Sequence, residues 1–407
     1  MTETLNTRCC IAGGGPAGMM LGLLLARAGI DVTVLEKHAD FLRDFRGDTI
    51  HPSTLELMHE LGLLDDFLKL PHSIAPTIKG RYGNLGLTIA VFRHLPTQCK
   101  YIAMMPQWDF LNFLADHGRR YPGFRLLMQA EVTDLIEHGG RVAGLRATSP
   151  RGDLTIMAPL VVGCDGRQST VRGKARLEVE ALGAPMDVLW FRLGRRPGDP
   201  DDTMGIFLPG RIFVMINRGD YWQCATVIPK GSVEEVRRKG LESFRAGIEQ
   251  AEPLFKGRAG EIADWDQVKL LTVAVDRLKR WHREGLLCIG DAAHAMSPIG
   301  GVGINLAVQD AVAAANILAE PLRGGAVSDD VLQKVQDRRE FPTRVIQRLQ
   351  LFLQNNVIRN ALASDSALKP PLILKLLRNF PPLRRIPARV LGLGIRPEHV
   401  HTPQRVA

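Results

Sequence analysis

The sequence predicts an α/β protein: a doubly wound, mostly parallel body, interrupted by an antiparallel sheet and followed by C-terminal helices. Three observations carry this. The chain opens as strand, glycine turn, helix and strand between Arg8 and Glu36. From about residue 181 the texture changes to short strands separated by turn signals. After a strand ending in an acid at Leu286–Asp291, the remainder reads as helix. Strands alternating with helices build parallel sheets, whereas strands joined by tight turns build antiparallel ones.

Taken in order, "RCCIA" (8–12) is an apolar strand and "GGGPAG" (13–18) a turn that opens a helix through Arg27. Gly29 supplies the helix stop, and "DVTVLE" (31–36) is the second strand. "HPSTLELMHELGLL" (51–64) reads as a helix with a capping box formed by Ser53 and Glu56. Residues 77–105 break into short alternating stretches, and "QWDFLNFLADHGRR" returns to helix. Strand-like runs then lead to "LVVGCDG" (160–166). "MDVLWFRL", "MGIFLPG" and "RIFVMINRGDYWQCATVIPKG" form the meander, with turns at "LPG" and "NRGD". A helix over 233–250 interrupts it before "QVKLLTVAV", and helices follow over 303–319, 328–360 and in a proline-punctuated pair beyond 370.

A chain of 407 residues, 45% hydrophobic and 23% charged, is long enough for two domains with large cores and excludes disorder. No apolar run approaches the ~20 residues of a membrane span, and the first strand leaves no room for a signal peptide. The net charge of +9 sits in one place: residues 343–407 hold 11 of the 52 Lys and Arg but only 2 of the 43 Asp and Glu. The preceding 342 residues therefore balance to zero. A neutral body with a basic tail argues against nucleic acid as a partner. The six cysteines (9, 10, 99, 164, 224 and 288) show no framework spacing, and Cys9 and Cys10 point to opposite faces of a strand. A reducing cytoplasm is expected. No metal site is expected either, with His399 and His401 read as a loose tail.

Gly13, Gly15 and Gly18 fit G-x-G-x-x-G between a strand and a helix. These glycines allow a tight turn, backbone approach to a pyrophosphate, and close helix–strand packing. The helix N-terminus adds unpaired N–H groups for the anion. Glu36, closing the next strand, is placed to accept from ribose hydroxyls. A middle strand ends in Asp165-Gly166, with Arg167, Ser169 and Arg172 downstream, and a late one ends in Gly290-Asp291. Either acid alone would serve as an ordinary helix cap. Three strand-end motifs in this order are far more specific.

Together these motifs resemble the class A flavoprotein monooxygenases, the p-hydroxybenzoate hydroxylase-like family, over residues 8 to about 320. The resemblance implies a Rossmann-like FAD-binding domain from residues 1–72, 101–180 and 277–342, and a mainly antiparallel substrate-binding sheet from 73–100 and 181–276. A basic helical segment, 343–407, completes the chain. It implies non-covalent FAD held by Gly13, Gly15, Ala17, Gly18, Glu36, Lys37, Arg46, Gln107, Val132 and Asp165 toward the adenine end and middle. Gly290, Asp291, Pro298, Gly301, Gly303, Ile304 and Asn305 serve the flavin end, Asp291 at the ribityl chain. Pro298, Gly300 and Gly301 mark the flavin and oxygen site. Helix 303–319 would aim its first N–H groups at the flavin edge where negative charge accumulates on reduction. Val302 departs from the family, which often has Gln or Glu there. His294 reads as structural.

No second G-x-G-x-x-G is present, so NADH or NADPH would be a visiting co-substrate. The family then uses O2 through a flavin C4a-hydroperoxide to hydroxylate an aromatic or other apolar small molecule. Phe213, Met215, Tyr221 and Gln223 are expected to line the substrate site. The alternative is a flavin-dependent reductase or dehydrogenase without oxygen insertion; a flavin-containing binding protein without turnover is the third reading. The basic tail reads as helices packed over the body or joining a homodimer, or as a peripheral contact with the inner membrane surface.

Overall fold

The glycine turn and its flanking strands build the first sheet. The computed structural model of the protein describes residues 3–42, 49–325 and 327–405. Its central sheet orders the strands His282–Arg283, Leu286–Cys288, Leu160–Gly163, Cys9–Ala12, Val32–Glu36 and Phe124–Met128. All pair in parallel except the short His282–Arg283 strand, which turns back on its neighbour. The Pro16–Arg27 helix and a separate four-stranded sheet containing Arg141–Ser149 both pack against this sheet, so the middle strands Cys9–Ala12 and Leu160–Gly163 are continuous apolar runs, buried along their length. The three strands that end in the glycine and acid motifs lie side by side, so all three loops emerge at one edge. That edge is where open α/β sheets bind ligands.

The second sheet has seven strands, in the order Lys269–Leu271, Met186–Gly194, Tyr221–Pro229, Arg211–Asn217, Met204–Leu208, Thr77–Tyr82 and Leu85–Val91. It is antiparallel throughout except where Met204–Leu208 runs parallel to Thr77–Tyr82. One face carries Phe191, Phe213, Met215 and Trp222, packed on Phe244 and Phe255 of the outer helices. The other carries Ile212, Ala225 and Val227 and packs with Ile299 of the loop before the Gly303 helix.

Several sequence expectations need correction. The Ser53/Glu56 capping box does not form. The helix begins at Pro52, two residues early, so Ser53 donates to Asn305 Oδ1 (2.6 Å) while Glu56 accepts from the Gln98 N–H (2.8 Å). The helix expected over 233–250 is two helices, Val233–Arg238 and Leu241–Ala251, separated at Gly240, whose φ of +87° is incompatible with a right-handed helix. The helix from Gly303 runs on to Gly324. It is long and apolar enough by composition to cross a membrane, yet 83% of that apolar window is buried inside the protein. The tail is not loose: Glu60 accepts from His399 Nδ1 (2.5 Å) and the Val400 N–H (2.8 Å), and Asn316 accepts from the His401 N–H (2.9 Å). The basic segment packs on the body, where Ala388 and Leu393 join Phe92 and Ile102 in a small core.

Candidate functional site

The first loop is built almost entirely from its own neighbours. Gly13 has φ +104°, and a Cβ there would lie 2.4 Å from the Cys164 carbonyl oxygen. A Cβ on Gly18 would lie 2.0 Å from the Gly13 oxygen. Neither position admits a side chain. Gly15 differs, because a Cβ there meets nothing within 4 Å, leaving room at the helix N-terminus for a ligand. Glu36 Oε2 accepts from the Gly14 N–H and Oε1 from the His38 N–H, both at 3.1 Å. A carboxylate has about four acceptor positions, so ribose hydroxyls can share it. Lys37 is exposed and Val132 half-buried on the Glu131–His138 strand, while Gln107 opens the Gln107–Gly118 helix. Arg46 lies outside the described residues.

In the middle motif, Asp165 is used internally. Its carboxylate accepts from Ser169 Oγ (2.5 Å) and the Val171 N–H (3.0 Å), restraining the start of the Thr170–Lys174 helix. Burial raises its pKa, against those hydrogen bonds, which lower it. The alternative role of helix restraint is therefore the one its side chain visibly performs. Asp291 remains accessible, with its side chain one third exposed and paired to Arg167 Nε at 3.1 Å. Arg167 Nη1 is buried beside it with no partner among the described residues, a donor that an acceptor-rich ligand would satisfy.

The late glycine loop, Pro298–Gly303, is held from outside. Gly300 and Gly301 have φ of +79° and +64°, and Gly301 closes against Thr49, whose Oγ1 donates to the Gly301 carbonyl (2.8 Å). A Cβ on Gly301 would lie 2.5 Å from that hydroxyl. Buried His51 has Nε2 3.1 Å from the same carbonyl and Nδ1 2.7 Å from the Leu391 carbonyl. Burial lowers the His51 pKa to about 4, despite two carbonyl contacts that raise it. The helix begins at Gly303, and Leu306 is the first residue whose N–H bonds back, to Val302. The N–H groups before it lack intrahelical partners, and a Cβ on Gly303 meets nothing within 4 Å. Ile304 is buried and Pro298 half-buried at the loop. The Asn305 carboxamide oxygen accepts from Ser53 (2.6 Å) and Thr54 (2.9 Å), so the side chain ties two helices together and its backbone N–H is left to face a ligand.

Beneath this loop lies a charge network the sequence reading missed. Asp310, fully buried, accepts from the Gly290 N–H (3.1 Å) and from His294 Nε2 (2.5 Å) on Oδ2, and from Arg339 Nε (2.9 Å) on Oδ1. Arg339 also meets Glu398 at 3.1 Å. Burial pushes the Asp310 carboxyl up, but His294 and Arg339 outweigh it and hold the pKa below the usual value. The available signal was one acid in the middle of an otherwise apolar helix. His294 is buried inside this network, bonded to Asp310.

The substrate-face assignment mixed two faces. Phe213 and Met215 are 1% and 2% exposed, in the core on the outer side of the sheet, because odd positions of that strand face the outer helices. Tyr221 and Gln223 share the inner face with Ile212, Val214 and Ile216, which pair across from Val227, Ala225 and Gln223. At its rim Arg192 lies over the Tyr221 ring, 4.9 Å from the centroid, and Arg218 Nε donates to Gln223 (3.0 Å). Among the described residues no cluster could hold a metal ion.

Comparison with known proteins fits this geometry. A family described as "FAD binding domain" matches residues 6–349. The 6-methylpretetramide 4-monooxygenase of Streptomyces rimosus is 31% identical over 95% of this chain and 92% of its own. An uncharacterised aromatic compound monooxygenase of Bacillus subtilis is 27% identical over 78% of this chain, which spans 62% of that protein. The crystal structure of p-nitrophenol 4-monooxygenase from Pseudomonas putida superposes over all of both chains, with a TM-score of 0.75 at 22% identity.

Proposed function

Because the chain belongs to the class A FAD-dependent aromatic monooxygenases, we propose that it hydroxylates a fused-ring aromatic compound of the polyketide type. It is an oxidoreductase that uses FAD, NAD(P)H and O2 on a small aromatic molecule. The observation that carries the finer reading is the end-to-end likeness to an enzyme named for a pretetramide. The broad apolar inner face of the seven-stranded sheet, with polar groups only at its rim, supports the same reading. A flat polycyclic body suits such a wall, and Gln223 and Tyr221 would orient its oxygen substituents.

The residues present fit the cofactor: open space at Gly15 and Gly303, and an unpartnered buried Arg167 donor beside Asp291. Gly13, Gly15 and Gly18 with Glu36 would hold the adenosine and pyrophosphate, Asp291 the ribityl chain, and Pro298 to Ile304 the flavin. When bound, FAD supplies electron transfer from NAD(P)H and oxygen activation. The protein's own part is positional and electrostatic. The N–H groups opening the Gly303 helix favour negative charge at the ring, while Ile299 and the apolar sheet exclude water. The test is single turnover with labelled O2 on a panel of tetracyclic phenols and single-ring phenols. Label should enter the tetracyclic product and k cat/KM should favour it at least tenfold. Flavin reduction and reoxidation without label in any product would instead support the reductase reading.

The six free, buried cysteines support a reducing compartment. For the C-terminal segment, exposed Leu372, Ile373, Phe380 and Ile386 stand among Lys375, Arg385 and Arg389. This favours contact with an anionic bilayer over self-association, since two copies would juxtapose like charges. Co-flotation with phosphatidylserine vesicles but not neutral ones is expected; absence of flotation with both removes this reading.

A further inference from the structure

On the outer side of the seven-stranded sheet, across from the flavin-end loop, lies a cavity of about 560 Å³. Four cationic side chains line it: Lys79 and Arg81 from the sheet, and Arg378 and Arg384 from the C-terminal segment. Their charge is not balanced from within. Glu252 is the one carboxylate on the lining and pairs with Arg81 at 3.2 Å, while Lys79 reaches Asp202 at 2.8 Å. Arg384 donates only to the backbone oxygens of Leu377 (2.8 Å) and Arg378 (2.9 Å), and Arg378 has no ion pair among the described residues. Arg81 Nε is buried without a hydrogen-bond partner among them. The rest of the wall is apolar, including Leu87, Met204 and Leu254.

Unbalanced guanidinium groups beside an apolar wall are the recognition chemistry of an amphipathic anion. The volume falls within the ~300–1,000 Å³ range of small-molecule sites. The cavity is separate from the substrate face, because Met204 lies opposite Met215 on the sheet surface that packs outward, whereas Ile212 and Val214 pack toward Ile299.

The same C-terminal segment reaches the flavin-end loop. Helical backbone continues from Pro381 through Gly392, so Arg384 and Leu391 are separated by about 10 Å of helix. A Cβ on Gly300 would lie 2.8 Å from Leu391 Cδ2, and the Leu391 carbonyl is 2.7 Å from His51 Nδ1. One rigid element therefore touches the cavity at one end and the loop at the other.

We propose that this cavity is a second small-molecule site, binding an apolar body that carries a carboxylate, sulfonate or phosphate, and that its occupancy steadies the flavin-end loop through the 381–392 helix. A ligand that favours the docked position of this helix holds the loop in the arrangement seen here by its differential affinity.

The probe is 8-anilinonaphthalene-1-sulfonate titrated into the FAD-loaded enzyme. One saturable site per chain is expected, with Kd raised at least tenfold in the double variant Arg378→Ala/Arg384→Ala. Gly86→Phe, which fills the cavity from a position where a Cβ meets nothing within 4 Å, should weaken binding similarly while keeping both arginines. FAD should stay at one per chain in both variants. Saturating probe should slow FAD release severalfold in the unmodified enzyme and not in the variants. Unchanged probe affinity in both variants, or probe bound only as FAD leaves, overturns the site. Equal FAD release with and without bound probe overturns the coupling.

Discussion

The two glycine loops at the sheet edge are held in different ways. The loop at Gly13–Gly18 is fixed by the adjacent strand ends, through Cys164 and Glu36, and by its own helix. The loop at Pro298–Gly303 is fixed by residues some 250 positions upstream, Thr49 and His51, and by the C-terminal Leu391. The strand turn before it rests on Asp310 and, through Arg339, on Glu398. A local loop can be broken only locally. A loop assembled from distant segments can be disturbed from several directions, and can also be regulated through them.

The largest effect that would test this comparison is at the local loop. Gly13→Val places a branched side chain at φ +104° and into the Cys164 carbonyl. Strain and backbone overlap together exceed what this turn can absorb. The expected product is insoluble or lacks flavin, read from the visible absorbance of the purified protein. A yellow, stable Gly13→Val enzyme would show that the loop has slack that the structure does not reveal.

Next comes the remote support. Asp310→Asn keeps the shape but removes the charge that His294 and Arg339 face. Breaking a buried pair costs about 3–5 kcal/mol, so the melting temperature should fall by several degrees. FAD should dissociate faster as well, since the single amide oxygen cannot serve both the Gly290 N–H and Arg339 Nε. If instead FAD release is unchanged while stability drops, the network serves the core and not the loop.

This contrast also explains what could be read in the sequence. The first loop was legible because its parts are contiguous: strand, three glycines, helix, strand and Glu36 occupy one short stretch. The glycine loop at Pro298–Gly303 was legible as a loop for the same reason. His51, Asp310, Arg339 and Glu398 were not, since each is an ordinary polar residue until folding brings it to the loop. Ser53 shows the converse error, where a strong local pattern lost to Asn305, a partner 252 residues away. The face assignment of Phe213 and Met215 failed because alternation marks two faces without saying which one looks at the cofactor.

The mildest and most selective probe is pH, acting through His51. A neutral imidazole can donate to only one of the two carbonyls it touches, and burial favours that neutral form, with a pKa of about 4 against an ordinary 6.5. Between these values the unfolded chain binds more protons than the folded one, so stability rises with pH across the window. The contribution is fully present above pH 6.5 and lost as pH falls toward 4, amounting to about 3 kcal/mol at most. Carboxylates titrate over part of the same range, so the unmodified protein alone cannot isolate it. The comparison of urea midpoints for the unmodified protein and His51→Gln can: the variant should be less stable near neutrality and should lose less stability on acidification. Parallel pH profiles would mean that His51 takes up its proton without releasing the Gly301 carbonyl, and that the remote clamp on the loop survives a charge that its burial was expected to exclude.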